Sequence, residues 1–261
     1  EIILQIIFNI ICRLGKLLKK YLLIQVLNLL CGKFAERYGI HLTMVKNCDN
    51  TGGFIVTNAN IIEIPNGFKY ILGTEKTGLT IEDLFGNQYV WIPEGETIED
   101  GFCEGFFFSR YEIAIDADGK FVSKADRYPI VDISYLDAQR IAKSLNAKLI
   151  SNKQFERIIK WLIETNAMSE EEIFKDSSKK GNYKNSGPHR MVKTGFNTAW
   201  MINNIDNLAG NLWTWTNSGD EKSKILRGGC CMLDGNYAPL GRKCLSYIEG
   251  SRFYTGLRVI L

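Results

Sequence analysis

Residues 207–216, NLAGNLWTWT, place two tryptophans one residue apart behind an Ala-Gly turn flanked by asparagines. Successive side chains of an extended strand alternate faces, so Trp213 and Trp215 share one face while Leu212 and Thr214 take the other. Two indoles on one side bury a large apolar area, and their N–H groups then need acceptors. The stretch predicts a core strand entered through a tight, amide-rich turn.

Upstream, from Thr51 onward, short apolar runs are separated by glycine and asparagine. FIVTNANIIEIP, FKYILG and NQYVWIP predict strands ended by Pro65, Gly73 and Pro93, and Gly86-Asn87 predicts a turn from IEDLF into QYVWIP. FFFSRYEIAI, residues 106–115, is rich in aromatic and β-branched residues and predicts one long strand. The period then changes. In SYLDAQRIAKSLN, Ser134 caps a helix with Asp137 at its third position and an apolar stripe of Ala138, Ile141, Ala142 and Leu145. Ser151 and Gln154 form a capping box opening QFERIIKWLIETN, whose buried face is Phe155, Ile158, Ile159 and Leu162. Residues 166–200, centred on KDSSKKGNYKNSGPHR, are mostly polar and read as a surface insertion; Lys179-Lys180 read as solvated, and His189 has no carboxylate partner in the sequence.

The 261 residues allow one large domain or a domain with an appendage, and 45% hydrophobic with 23% charged residues is an ordinary globular composition. Charge is unevenly spread: residues 1–46 hold seven Lys/Arg against two acids, +5, leaving −2 on the remainder of a chain whose net charge is +3. The main body lacks the concentrated basic surface that nucleic acid requires. Seven cysteines without a CxxC pair, and an odd count, read mostly as buried thiols, and zinc is poorly supported because neither His41 nor His189 lies at ligand spacing from a cysteine pair.

The N-terminal run EIILQIIFNIICRLGKLLKKYLLIQVLNLL is interrupted by Arg13, Lys16, Lys19 and Lys20 before a membrane span accumulates. Ile3, Ile7, Ile10, Leu14, Leu17, Tyr21 and Ile24 recur at intervals of four and three, which predicts an amphipathic helix. Through residues 3–24 it could pair with a partner helix or its own copy, lie on a membrane surface, or dock on the main domain. The chain opens on Glu1 rather than Met and reads as a fragment or a processed product.

Several motifs occur in a characteristic order: VWIPEGE, FFFSRYEI, YPIVDISYLDAQRIAKSL, LISNKQFERI, NLAGNLWTWT, ILRGG and TGLRVIL. Together they resemble the formylglycine-generating-enzyme, or sulfatase-modifying-factor, superfamily over about residues 67–261, and within it uncharacterised bacterial and phage-associated members. The resemblance implies an irregular α+β domain related to C-type lectins, with residues 1–46 an amphipathic helical segment, 47–86 a strand-rich lead-in and 87–261 the domain proper. Members of that superfamily oxidise a substrate cysteine, belong to iron-dependent sulfoxide synthases, or only display a binding surface.

The residues distinguish these uses. The cysteine pair that holds copper in the oxidases maps to Ala238 and Lys243, with Cys244 next door, so the first thiolate is missing. Iron-site histidines are likewise absent from the sequence. The calcium ligands of the family map to Asn207, the carbonyls of Gly210 and Leu212, and the side chain at Thr214, where a glutamate is expected; a hydroxyl there weakens the site. Arg227, Gly228, Gly229 and Arg258 match family positions and read as structural, and Cys230 and Cys231 as core packing. Tyr237, Arg242, Tyr247, Arg252, Phe253 and Tyr254 have the composition of a recognition surface. The expectation is a non-catalytic domain presenting its C-terminal loops to a protein or glycan ligand at a membrane, cell or virion surface. The alternative is an oxidase of substrate cysteine with altered copper ligands, built around Cys244.

Overall fold

The computed structural model describes Met44–Cys48, Gly52–Val56, residues 61–249 and residues 254–261. The predicted N-terminal helix, residues 3–24, lies outside the described residues, as do Arg252 and Phe253. Among the described residues no helix is long and apolar enough to cross a membrane. The chain divides into two compact units, Glu1–Tyr70 and Ile71–Leu261.

In the first unit β1 (Met44–Cys48), β2 (Gly52–Val56) and β3 (Ile61–Ile64) form an antiparallel sheet in that order, with Ile55 opposite both Val45 and Ile62. The predicted run FIVTNANIIEIP is thus two strands, β2 and β3. The division between the units falls within β4 (Phe68–Leu72).

The second unit opens with the hairpin β5 (Thr80–Asp83) and β6 (Gln88–Ile92), turned as expected at Gly86-Asn87, with Asp83 Oδ1 accepting from the Phe85 and Asn87 amides at 2.8 Å each. A short ribbon, β7 (Gly95–Glu96) and β8 (Phe102–Cys103), leads to β9 (Phe106–Ser109). FFFSRYEIAI is therefore not one strand. It breaks after Ser109 and resumes as β10 (Ala114–Ile115), which pairs with β11 (Phe121–Val122). At the break the Ile113 amide donates to Leu257 O at 3.1 Å, and the segment carries Glu112 into the interior, so long-range pairing overrides strand propensity.

The two helices form where the caps predict. In α1 (Tyr135–Ser144) the Ser134 hydroxyl accepts from the Asp137 amide at 3.1 Å. The strand β12 (Lys148–Leu149) separates it from α2 (Asn152–Glu164), whose capping box is complete: Gln154 N donates to Ser151 Oγ at 3.1 Å and Ser151 N to Gln154 Oε1 at 3.0 Å. Phe155, Ile158, Ile159 and Leu162 of α2 pack with Val90, Phe106 and Phe108 in the core.

Residues 166–200 are not a surface insertion. A short helix α3 (Glu170–Phe174) is followed by β13 (Gly181–Asn182), which pairs in parallel with β14 (Ala209–Gly210), and Ile173, Asn182, Tyr183 and Val192 are buried. The polar composition misleads because Asn182 donates its amide to Arg190 O and to the buried Asn211 Oδ1, and Tyr183 fills the core just before the exposed residues 184–186. Two further layers close the unit. A sheet of order β17-β16-β15-β18 contains β15 (Trp213–Gly219), β16 (Ser223–Arg227), β17 (Cys244–Tyr247) and β18 (Thr255–Gly256), antiparallel except for β15 with β18. The last strand, β19 (Val259–Ile260), returns between β12 and β9.

Candidate functional site

Around NLAGN the loop between β13 and β15 is held by buried polar groups. Gly228 O receives both the Gly210 amide at 2.7 Å and the Tyr183 hydroxyl at 3.1 Å. Gly229, at φ +79°, leaves room for that tyrosine ring: a β-carbon there would stand 2.7 Å from it and 2.5 Å from Ala238 O. Asn211 Nδ2 donates to Glu112 Oε2 at 2.5 Å, and its Oδ1 accepts from Asn182 Nδ2 at 2.9 Å and Val192 N at 3.0 Å. The Arg258 guanidinium, also buried, donates to Ser109 O at 3.3 Å, Arg110 O at 3.2 Å and Asp206 O. Burial pushes the Glu112 carboxyl up to about 8, with Arg258 and Asn211 drawing it back only in part.

The tryptophans build the core as expected: both are buried, and Trp215 Nε1 donates to Ile133 O at 3.0 Å with its ring edge-on to Tyr135 at 5.8 Å. Thr214 on the opposite face is buried too, because β16 and β18 flank it. Asn207 is also buried, at φ +46°, and among the described residues neither its Oδ1 nor its Nδ2 has a hydrogen-bond partner. Buried polar atoms are normally satisfied, so this amide, like the neighbouring Asp206 Oδ1, is an orphan group of the loop among the described residues.

The resemblance maps a copper site to Ala238 and Lys243, with Cys244 next door. Ala238 is fully buried. Lys243 is engaged by Glu156 at 2.8 Å and Glu99 at 2.5 Å. Cys230 and Cys231 are buried free thiols that burial pushes up, Cys231 to about 12, which disfavours the thiolate that a soft metal needs. Cys244 is half-buried on β17, paired with Leu226.

The C-terminal loop surface is braced from beneath. Arg227, fully buried, donates to Gly241 O at 3.1 Å and lies over the Phe155 ring at 4.9 Å; burial pushes it down to about 10. Gly241 N donates to Ile173 O at 2.9 Å, and Leu240 N to Ser177 Oγ at 2.9 Å. On this base Tyr237 is 58% exposed, Tyr247 69% and Leu245 61%. Arg242 lies over the Tyr237 ring at 4.5 Å and donates to its carbonyl. Tyr254 is only half-buried, at φ +61°, its amide donating to Asp132 Oδ1 at 2.6 Å. The structure thus brings Tyr237 and Arg242 together and places Tyr247 on the strand that follows; Leu245, which alternates with Cys244 and Ser246, belongs to the same surface and is legible from that alternation.

Solved structures share this architecture. CarF is 12% identical with a TM-score of 0.50, the match covering 68% of this chain and 98% of that one. The fold is C-type-lectin-like. PvdO from Pseudomonas aeruginosa (14% identity, TM-score 0.48, 72% of this chain and 99% of that one) is similar over comparable lengths. So is the Treponema denticola variable protein 1, at 10% identity and TM-score 0.46 over 74% of this chain and 98% of that one. No family model and no curated relative matches the sequence.

Proposed function

We propose that this C-type-lectin-like domain is a non-catalytic member of the formylglycine-generating-enzyme superfamily that presents its C-terminal loops to a protein or glycan ligand at a cell or phage surface. The observation that carries the reading is the pairing of exposed aromatic side chains, Tyr237 and Tyr247, with a rigid base made by Arg227 and by Lys243 with Glu156. Aromatic side chains held on a fixed scaffold supply contact area at small entropic cost. Arg242 adds donors beside Tyr237, and Arg252, Phe253 and Tyr254 extend the composition along the chain. The test is binding of the full chain to a glycan array and to displayed proteins. Tyr237→Ala combined with Arg242→Ala lowers binding at least tenfold while the melting temperature holds; unchanged binding overturns the reading. Tight stoichiometric copper(I) binding abolished by Cys244→Ser would instead support the oxidase alternative.

The orphan amide of Asn207 supports a weak calcium site on the same loop. Its Oδ1, the carbonyls of Gly210 and Leu212 and the Thr214 hydroxyl would hold the ion with neutral oxygens, a donor set of low affinity. Calcium raises the melting temperature of the wild type relative to EGTA, and Asn207→Ala removes that increment; an equal increment in both proteins rejects the site.

A further inference from the structure

Among the described residues β17 is the outer strand of its sheet. Its register against β16 runs Ser223 with Tyr247, Lys224 with Ser246, Ile225 with Leu245 and Leu226 with Cys244, and the Ile248 amide donates to Lys222 O at 3.0 Å. In an antiparallel pair, inward-bonded residues alternate with outward-facing ones. The bond at Ile248 sets the phase: Cys244, Ser246 and Ile248 turn their backbone groups to β16, while Leu245 and Tyr247 turn theirs outward. The side chains of these same two residues are 61% and 69% exposed, whereas Ser246 on the other face is buried. Among the described residues the outer edge therefore offers the N–H groups of Leu245 and Tyr247 and the Tyr247 carbonyl, with the Leu245 carbonyl held only by a long contact from Cys244 Sγ at 3.8 Å, beneath two large exposed side chains. β17 is short, four residues, but Cys244–Tyr247 carries no lysine, no proline and no bulge.

We infer that the β17 edge takes an extended polypeptide segment of a partner protein, which adds as a further strand opposite Leu245 and Tyr247. This deepens the proposed loop-binding function and rests on it, naming the ligand as a peptide backbone rather than a sugar. Main-chain pairing supplies the affinity, and the exposed Leu245 and Tyr247 side chains select apolar residues at alternate positions of the segment. The segment needs a free N–H at the two residues that face the edge, so proline is rejected there.

The probe is a displayed library of random linear peptides selected on the full chain, with a selected peptide then measured against variants. Tyr247→Pro removes an outward N–H without touching a hydrogen bond to β16, and Tyr247→Ala removes the side chain but keeps the edge. The expected result is a loss of at least tenfold for Tyr247→Pro beyond that for Tyr247→Ala. Hydrogen exchange on the wild type gives a second readout: the Leu245 and Tyr247 amides exchange freely without peptide and are slowed at least tenfold with it. Equal losses for the two variants, or unaltered exchange at both amides, overturn the inference. Glycan binding lost in the Tyr237→Ala, Arg242→Ala double variant, with no peptide selected, overturns it too and leaves the loop-surface function standing. A concentration-dependent dimer dissolved by Tyr247→Pro gives the edge to a second copy and likewise overturns it.

Discussion

Two buried glutamates lie under two loop regions of this domain, and they behave in opposite ways. Glu112, 2% exposed, lies under the NLAGN loop, accepts from Asn211, and leaves Oε1 without a hydrogen-bond partner among the described residues. Burial dominates it, so the neutral form is favoured. Glu156, 1% exposed, lies under the C-terminal loop surface; burial pushes its carboxyl up, but hydrogen bonds from Lys243 and Asn152 outweigh that and hold it below the ordinary carboxylate value. The loop that forms the core is thus fixed by neutral amides and by an arginine spent on carbonyls. The loop that faces solvent is fixed by an ion pair at its margin. A buried hub stabilised this way tolerates little change, whereas a rim tied at Lys243 leaves Tyr237 and Arg242 open to substitution.

The largest effect separating the two regions is expected at Arg258. Arg258→Met keeps much of the volume but strands the carbonyls of Ser109, Arg110 and Asp206 and removes the nearest cation from Glu112. Losing one member of such a buried network costs about 3–5 kcal/mol. Urea unfolding reads it directly, and a loss under about 1 kcal/mol would show the hub to be less critical than the rim. Next comes the pH dependence of Glu112. Its folded value lies above its unfolded one, so the native state binds the extra proton, and stability falls as pH rises from the ordinary carboxylate range to about 8. Each unit of difference is worth about 1.4 kcal/mol. Glu112→Gln flattens that slope in urea titrations between those limits; an unchanged slope assigns it to another group.

What the sequence revealed follows the range of the interactions. The caps at Ser134 and Ser151 act over three residues, and both helices begin where those caps place them. The alternation in WTWT is equally local, and both indoles are buried. Tyr183 was not legible: its neighbours are polar, and it is buried only because Gly229, 46 positions later, leaves space for its ring. The break in FFFSRYEIAI had a signal, a glutamate among apolar residues, but its partner Asn211 is 99 residues away. The aromatic composition of the C-terminal loops was legible, while their bracing by Arg227 and Lys243 depends on contacts with Gly241, Glu99 and Glu156 that no spacing announces.

The smallest effect sharpens the comparison from the rim. Lys243→Met leaves Glu156 with the Asn152 amide and the weaker Glu99 amide contact at 3.3 Å. A charge-assisted hydrogen bond of this kind contributes about 1.5–3 kcal/mol, and the lower end applies because Lys243 is partly exposed. The sign with pH is opposite to that of Glu112. A carboxyl held low stabilises the fold above its unfolded value and loses that contribution as pH falls through its folded value, so wild type and variant converge toward acid. Hydrogen exchange at Leu240 and Gly241, whose amides anchor the loop to Ser177 and Ile173, quickens in the variant, while the Gly210 amide on Gly228 does not change. Equal quickening at both would mean that rim and hub open as one cooperative unit, and the separation drawn between Glu112 and Glu156 would then describe electrostatics without describing local stability.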